Sequence, residues 1–288
     1  MKLSLSARIA ESPKRKDVAE TPIESLAPLA ATAGFAALSM RASVVSVAAP
    51  PARTAAVKAL LDRHGLAVSM VTGDVALAAN DAGATAAIHD IAPYLDLACA
   101  LGSGLVRVML HSDADIPAAR RAADMAAERG LTLAHMTHWG TLIETVEDAL
   151  ATVATVGRSN FGVVYEPANL LACGQPFDPD AIRRLAPHLV NVMFQNVRED
   201  AASPIAFHSR RRGRIGLTYV PLDDPSGLDA RAMIETLREI GYNGWITVHQ
   251  PLRDGQTAAD AVAEAARFFG PLIRQGGRQG ETGSAPRA

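Results

Sequence analysis

The chain has 288 residues, 49% hydrophobic and 20% charged, with a formal net charge of −2 at pH 7. That length supports one large core or two small ones, and the near-neutral balance excludes a polycation built for nucleic acid or for an anionic membrane surface. The N-terminal "MKLSLSARIAESPKRK" holds no apolar core of signal-peptide length, and no apolar run approaches membrane-spanning length, so a soluble cytoplasmic protein is expected. Cys99 and Cys173 lie in separate apolar contexts without metal-like spacing and are expected to be two reduced, buried thiols.

Along the chain, short apolar runs with strand character alternate with helical patterns. "LSLSA" (3–7) precedes a helical pattern at 22–33, and "FAALSM" (35–40) precedes "PARTAAVKALLDRHG" (51–65). The latter sets Val57, Leu60 and Leu61 on one face and stops at Gly65, a natural C-terminal cap. "LAVSMV" (66–71) leads to a helical pattern at 84–101, and "LVRVML" (105–110) leads to "IPAARRAADMAAERG", which stops at Gly130. "LTLAHMT" (131–137), a helix at 143–156, "FGVVYE" (161–166), a helix at 179–187 and "LVNVMF" (189–194) follow. A long stretch over 198–227, with His208 and "RRRGR", then suggests a lid or a subunit contact, although a solvated basic loop is the commoner case. "DARAMIETLREIG" starts on Asp229 as N-cap and stops at Gly241; "WITVH" (245–249) and a helix at 257–274 complete the series. The tail 275–288, all Gly, Ser, Gln and charge with little else, is expected to be disordered.

Eight strands alternating with eight helices over about 270 residues fit one (β/α)8 TIM barrel spanning residues 1–274. The rival open, doubly wound sheet would want a glycine-rich phosphate turn after the first strand, and "SARIAESP" is not one. In a barrel, alternate side chains face the interior and the site lies at the C-terminal strand ends. One parity choice per strand then brings Arg8, Arg41, Arg107, His138, Glu166, Gln195 and His249 to the same mouth, while the opposite parity is mostly Leu, Val and Ala. Singly, each has a bland reading: a strand-end arginine paired with Glu11, Asp74 or Glu166, or a histidine hydrogen-bonded in packing. Convergence at one mouth favours function. His64, His89 and His188 fall in helical or connecting segments and are read as structural.

These residues carry a family resemblance. "GLTLAHMTHWGTLIETVEDAL", "FGVVYEPANLLACG", "LVNVMFQNV" and "GYNGWITVHQP" resemble strands five to eight of the xylose-isomerase-like TIM barrels, the sugar phosphate isomerase/epimerase superfamily. "SLSARIAE", "LSMRASVV" and "LGSGLVRVML" resemble strands one, two and four. The resemblance implies one divalent metal held by Glu, Asp, His and Glu on strands five to eight, with the two glutamates moving a proton beside a carbonyl. The corresponding positions here are Met136, Glu166, Met193 and His249. Two thioethers do not suit a hard divalent cation. A reassembled His138/Glu166/His249 set remains an open alternative, with the metal-free reading preferred.

Glu166 and His249, separated by one strand, form a candidate general base and general acid. Asn169, where many relatives carry a substrate-binding histidine, is expected to hold a hydroxyl. Gln195 and Asn196 offer uncharged donors to a carbonyl or enolate oxygen. Arg8, Arg41 and Arg107 supply bidentate anion recognition, so the expected partner is a small anionic molecule, with neither nucleic acid nor membrane; a homo-oligomer is left open. Three functions follow: an isomerase or epimerase acting on a small anionic sugar, polyol or keto acid; a metal-independent lyase or dehydratase; or a catalytically silent ligand-binding barrel.

Overall fold

The computed structural model describes residues 1–12 and 15–274, so the expected tail at 275–288 lies outside the described residues. Seven strands follow one another around a barrel: β1 (Lys2–Ser6), β2 (Ala37–Arg41), β3 (Ala67–Thr72), β4 (Leu105–Val108), β5 (Thr132–Met136), β6 (Phe161–Tyr165) and β7 (Leu189–Phe194). Three further strands intervene, β8 (Val197–Glu199), β9 (Ala206–Ser209) and β10 (Gly213–Tyr219), before β11 (Trp245–Val248) closes the barrel between β7 and β1. All barrel pairings are parallel, with Leu3 opposite Ile246 and Ile246 opposite Val192 at the closure. Each barrel strand lies within two residues of its expected span, because a strand buried on both faces reads as a continuous apolar run.

The outer layer consists of α1 (Ile23–Thr32), α2 (Pro51–Arg63), α3 (Val75–Ala79), α4 (Ala86–His89), α5 (Ala92–Leu101), α6 (Ile116–Ala127), α7 (Val146–Val156), α8 (Pro167–Ala172), α9 (Pro179–Leu185), α10 (Ala230–Glu239) and α11 (Ala258–Arg274). Asp229 caps α10 by accepting the Arg231 and Ala232 amides, each at 3.0 Å. The single helix expected over 84–101 is instead two, α4 and α5. Asp90 between them leaves the helical region at φ −134°, and Pro93 in the first turn of α5 has no N–H with which to continue a helix from α4. The short α3 and α8 lie in strand-to-helix connections, where the sequence pattern indicates no helix. Both cysteines are free; Cys173 is buried as expected, whereas Cys99 is exposed on α5, contrary to expectation.

The barrel interior is layered. Met70, Leu105, Ala134, Met136, Val164 and Met193 form an apolar plug. Below and beside it run buried polar links: Ser4 to Ser69 at 2.7 Å, and Thr247 donating to Asn191 at 3.2 Å. The alternation inferred from sequence is the alternation observed. No helix among the described residues is long and apolar enough to cross a membrane. The 198–227 stretch is an antiparallel sheet in the order β8–β10–β9, tightened at Gly216, where a Cβ would collide with the Asp200 carbonyl.

Candidate active site

Above the plug, the strand ends and their loops enclose a pocket to which Arg8, Arg41, Arg107, His138, Glu166, Asn169, Gln195 and His249 contribute. Arg8 follows β1 in a 3-10 turn whose cap is Ser6; the Ser6 hydroxyl accepts the Arg8 amide at 3.3 Å. Ser6 also accepts from His249 Nδ1 at 2.8 Å, while His249 Nε2 lies 3.3 Å from Arg8 Nη1. A guanidinium only donates, so Nε2 is the acceptor and Nδ1 carries the proton. Burial, then Arg8, Arg41 and Arg107, drives the His249 pKa well below its ordinary value and keeps the ring neutral. The general-acid role expected for His249 is therefore corrected: a neutral ring whose Nε2 faces a cation has no proton there to give.

The cationic wall is organised by the C-terminal end of α3. Arg41 binds Glu11 through Nε at 2.5 Å and the Ala78 carbonyl through Nη2 at 3.2 Å, both partners of the ion pair being buried. Its first commitment is thus the ion pair, the bland alternative weighed for it. Arg107 donates to the Leu77 carbonyl at 3.0 Å and to Asn80 Oδ1. Asn80 sits at φ +57° as the left-handed cap of α3, a conformation Asn tolerates better than most residues. Burial and Arg41 pull Arg107 down to about 9, which leaves it protonated at neutral pH. Arg107 Nε is buried with no hydrogen-bond partner among the described residues.

The opposite wall is built around Glu166 and His138. Thr137 clamps the Glu166 backbone, accepting its amide at 3.0 Å and donating to its carbonyl at 3.3 Å. Asn169, one turn into α8, donates to Glu166 Oε2 at 3.1 Å and to the Thr137 carbonyl at 2.9 Å. One N–H contact goes to the Glu166 carboxylate and the other to the Thr137 carbonyl, so Asn169 orients Glu166 while lining the pocket. Glu166 Oε1 and Gln195 Oε1 are buried and accept no hydrogen bond among the described residues. Burial raises Glu166 to about 7 against the opposing pull of Arg8, Arg107, Gln195 and Arg41. His138 donates from Nδ1 to the Trp139 carbonyl at 2.8 Å, which leaves Nε2 as a lone-pair acceptor; burial first, then Arg107, keeps the ring neutral.

Asn196 is absent from the pocket lining. Its amide donates to the Pro221 carbonyl at 2.7 Å and the Asp224 carbonyl at 3.1 Å, and its oxygen accepts the Leu228 amide at 2.7 Å. It ties down the loop before α10, and its expected substrate contact is corrected accordingly. His208 and the arginines of "RRRGR" turn outward; Arg211 pairs with Asp148 and Arg212 with Glu199. Six pocket residues are not indicated by the sequence pattern: Lys16, Ala78, Asn80, Trp139, Phe207 and Tyr219. Tyr219 accepts from Arg8 Nη2 at 3.0 Å, and Phe207 packs on Trp139 with ring centroids 5.0 Å apart, so β9 and β10 cover the mouth. Their only sequence signal is the length and aromatic content of the 198–227 stretch.

A family profile described as "Xylose isomerase-like TIM barrel" matches residues 27–272. The chain belongs to that family. A curated relative, rhizopine catabolism protein MocC of Rhizobium meliloti, is 27% identical over 260 residues, covering 80% of this chain and 74% of that one. Among solved structures, a xylose isomerase-like TIM barrel/4-hydroxyphenylpyruvate dioxygenase fusion protein superposes with TM-score 0.69 at 18% identity. That match covers 96% of this chain and 43% of the fusion protein, so the chain spans less than half of its length. D-psicose 3-epimerase, solved in the presence of D-fructose, gives 0.68 at 16% identity over 95% and 99% of the two chains. The probable 3-DHS dehydratase of Bacillus anthracis, involved in petrobactin synthesis, gives 0.66 at 15% identity over 94% and 99%. These structural likenesses establish the fold.

The divalent metal implied by the family resemblance does not fit this donor set. Met136 and Met193 are packed in the apolar plug, His249 Nε2 is directed at Arg8, and Glu166 is the one carboxylate lining the pocket among the described residues. A site that crowds Arg8, Arg41 and Arg107 around a single carboxylate disfavours a dication. No group of three His, Cys, Asp or Glu with metal-ligating geometry occurs among the described residues, including His138/Glu166/His249.

Proposed function

We propose that this barrel is an isomerase-type acid–base enzyme that shifts a proton between adjacent carbons beside the carbonyl of a small anionic sugar, polyol or keto acid. One observation carries the reading: Glu166, buried in a mouth of arginines, is held at about 7 with Oε1 free, so it can take a proton and return it at neutral pH. Its carboxylate removes the proton from the carbon next to the carbonyl. The charge that develops on the carbonyl oxygen faces Arg8, Arg41 and Arg107. The same carboxyl returns the proton to the former carbonyl carbon, while the proton of the adjacent hydroxyl passes by way of His138 Nε2 to the former carbonyl oxygen, so that the ring ends neutral and both oxygens are accounted for. A single carboxylate works on one face of the substrate, which suits a shift between neighbouring carbons better than inversion at one carbon. The relative named for rhizopine catabolism and the epimerase and dehydratase neighbours are in keeping with an enzyme.

Incubating the protein in D2O with a panel of sugar phosphates, sugar acids and keto acids tests this by NMR. Deuterium entering the carbon beside the carbonyl, and lost in Glu166→Gln, is the expected result. An unsaturated, ultraviolet-absorbing product would make the enzyme a lyase. Ligand-induced thermal shifts without exchange would make it a silent binding barrel.

A further inference from the structure

We propose that the substrate brings two negative charges into the mouth and that Lys16, which stands outside the arginine set, is the cation that selects for the second; the inference deepens the reading of the pocket as an acid–base site for a small anion and rests on it. Counter-charge is what the mouth lacks. Of its three arginines only Arg41 has an ionic partner among the described residues, Glu11 at 2.5 Å. Arg107 is buried against two neutral oxygens, those of Leu77 and Asn80, and its Nε meets no described residue. Arg8 meets the neutral His249 ring at 3.3 Å and the Tyr219 hydroxyl at 3.0 Å. Glu166 does not make good the deficit. Its Oε2 accepts from Asn169, its Oε1 from no described residue, and at about 7 roughly half of it is protonated in neutral solution. Two enclosed guanidiniums without counter-ions carry a desolvation cost that a dianion offsets and a single carboxylate offsets only in part.

Lys16 lines the pocket from the turn after β1 and steepens this preference. Its Nζ donates to the Ala78 carbonyl at 3.3 Å, the oxygen that also takes Arg41 Nη2 at 3.2 Å, while Arg107 binds the neighbouring Leu77 carbonyl. One amine and two guanidiniums are thus gathered at the C-terminal end of α3. The charged groups acting on Lys16 are Arg8 and Glu11 beyond β1, Arg41 on β2 and Arg107 on β4. Neutral His138 and His249, with Glu166 and Tyr219, complete the lining across from it. Both nearby acids are committed elsewhere, Glu11 to Arg41 and Asp17 to Arg15. Burial, then Arg8 and Arg41, therefore brings the amine down to about 7. A dianion beside Arg8 and Arg107 turns the field at Nζ negative, so Lys16 takes up a proton as such a ligand binds and becomes a third charge partner. A monoanion, outnumbered by those two arginines, leaves the field positive and the amine as it was.

Sulfate and methyl sulfate share a tetrahedral head, differ by one charge and do not titrate near neutral pH, so calorimetry with the two separates charge from shape. At about pH 8 sulfate is expected to bind the full chain roughly tenfold or more tightly than methyl sulfate. It should take up close to one proton, read from the heats in two buffers of unlike ionisation enthalpy, and the uptake should vanish near pH 6, where Lys16 is already charged. Lys16→Met should lose the uptake and about tenfold in sulfate affinity while methyl sulfate binds almost as before; Glu166→Gln should keep the uptake. Equal affinity for the two ions would overturn the inference, and so would uptake that survives Lys16→Met or disappears only in Glu166→Gln. Deuterium exchange then tells the two sources of double charge apart, a phosphate monoester or a dicarboxylate of a carbonyl compound, and exchange confined to either supports the inference. Equally fast exchange on a monocarboxylate keto acid would overturn it and leave the isomerase reading intact. Selective sulfate binding with proton uptake, but no exchange on any substrate, would instead overturn the isomerase reading and keep the dianion seat.

Discussion

The two walls of the mouth are made from the same material, buried strand ends, yet they treat charge in opposite ways. Around β1, β2 and β4 the arginines stay cationic in the interior; even Arg107, lowered to about 9, keeps its proton at neutral pH. Around β5, β6 and β11 the same desolvation leaves His138 and His249 neutral and lifts Glu166 to about 7. The difference lies in the starting point. A guanidinium begins so far above neutral that burial cannot discharge it, whereas imidazole and carboxyl groups begin within reach and are carried to or across neutral pH. In the proposed function, one wall holds a substrate's charge and the other moves its protons.

The sharpest way to break this division is Glu166→Gln. Turnover should fall by about 10² to 10⁴, since the proton carrier is gone while size and the Asn169 contact remain. Stability should move the other way. The folded protein prefers Glu166 protonated, so the residue's stabilising contribution is full below its unfolded value and is lost as pH rises through about 7. At pH 8 the Gln variant should gain on the order of 2–3 kcal/mol, and near pH 4 almost nothing. Thermal melts at both pH values check it; equal stability at pH 8 would mean that Glu166 is an ordinary ionised carboxylate.

On the cationic wall, Glu11→Gln should cost about 3–5 kcal/mol of stability by leaving Arg41 buried without its counter-charge. Millimolar phosphate should recover part of the loss by binding the folded form. Urea unfolding with and without phosphate reads both effects, and a loss that phosphate cannot touch would place Arg41 outside the anion-binding wall.

Much of this contrast can be read from sequence, and for one physical reason. Buried barrel strands are continuous apolar runs, and side chains alternate between faces, so Arg8, Arg107, Glu166, Gln195 and His249 could be sorted to one mouth by parity alone. The same rule argues against grouping Asn196 with Gln195: neighbours on a strand face opposite ways, and Asn196 lies under the loop at 221–228. What alternation cannot reach is the return of loops over the mouth. Lys16 and Phe207 come from a turn and a short strand without apolar period, and although β10 alternates Ile215, Leu217 and Tyr219, its place over the mouth depends on tertiary contacts such as Ser209 and Arg210 donating to the buried Glu144 carboxylate. Protonation was hidden as well. The sequence names a histidine, but only the geometry of Arg8 and Ser6 around His249 decides its tautomer.

A smaller effect is expected from Arg107→Lys. The fork that reaches both the Leu77 carbonyl and Asn80 is lost while the charge remains, so phosphate should bind roughly tenfold more weakly. Calorimetry measures it, and equal affinity would remove Arg107 from the anion-binding set.

The smallest effect sharpens the boundary between the walls, because His249 stands on the seam. If His249 only fixes Arg8, accepting from its Nη1 and donating to Ser6, then His249→Gln keeps a neutral polar side chain in place. The substrate should then bind a few-fold to about tenfold more weakly, with kcat nearly unchanged, as expected when a ground-state contact is loosened. Combined with Glu166→Gln, the two losses should multiply, since one acts on binding and the other on proton transfer. The opposite outcome is equally readable. A fall in kcat by about 10² or more, with no further loss in the double variant, would mean that His249 and Glu166 act as one unit. Proton transfer would then reach across to β11, and the neutral ring seen facing Arg8 would be a resting arrangement that substrate displaces.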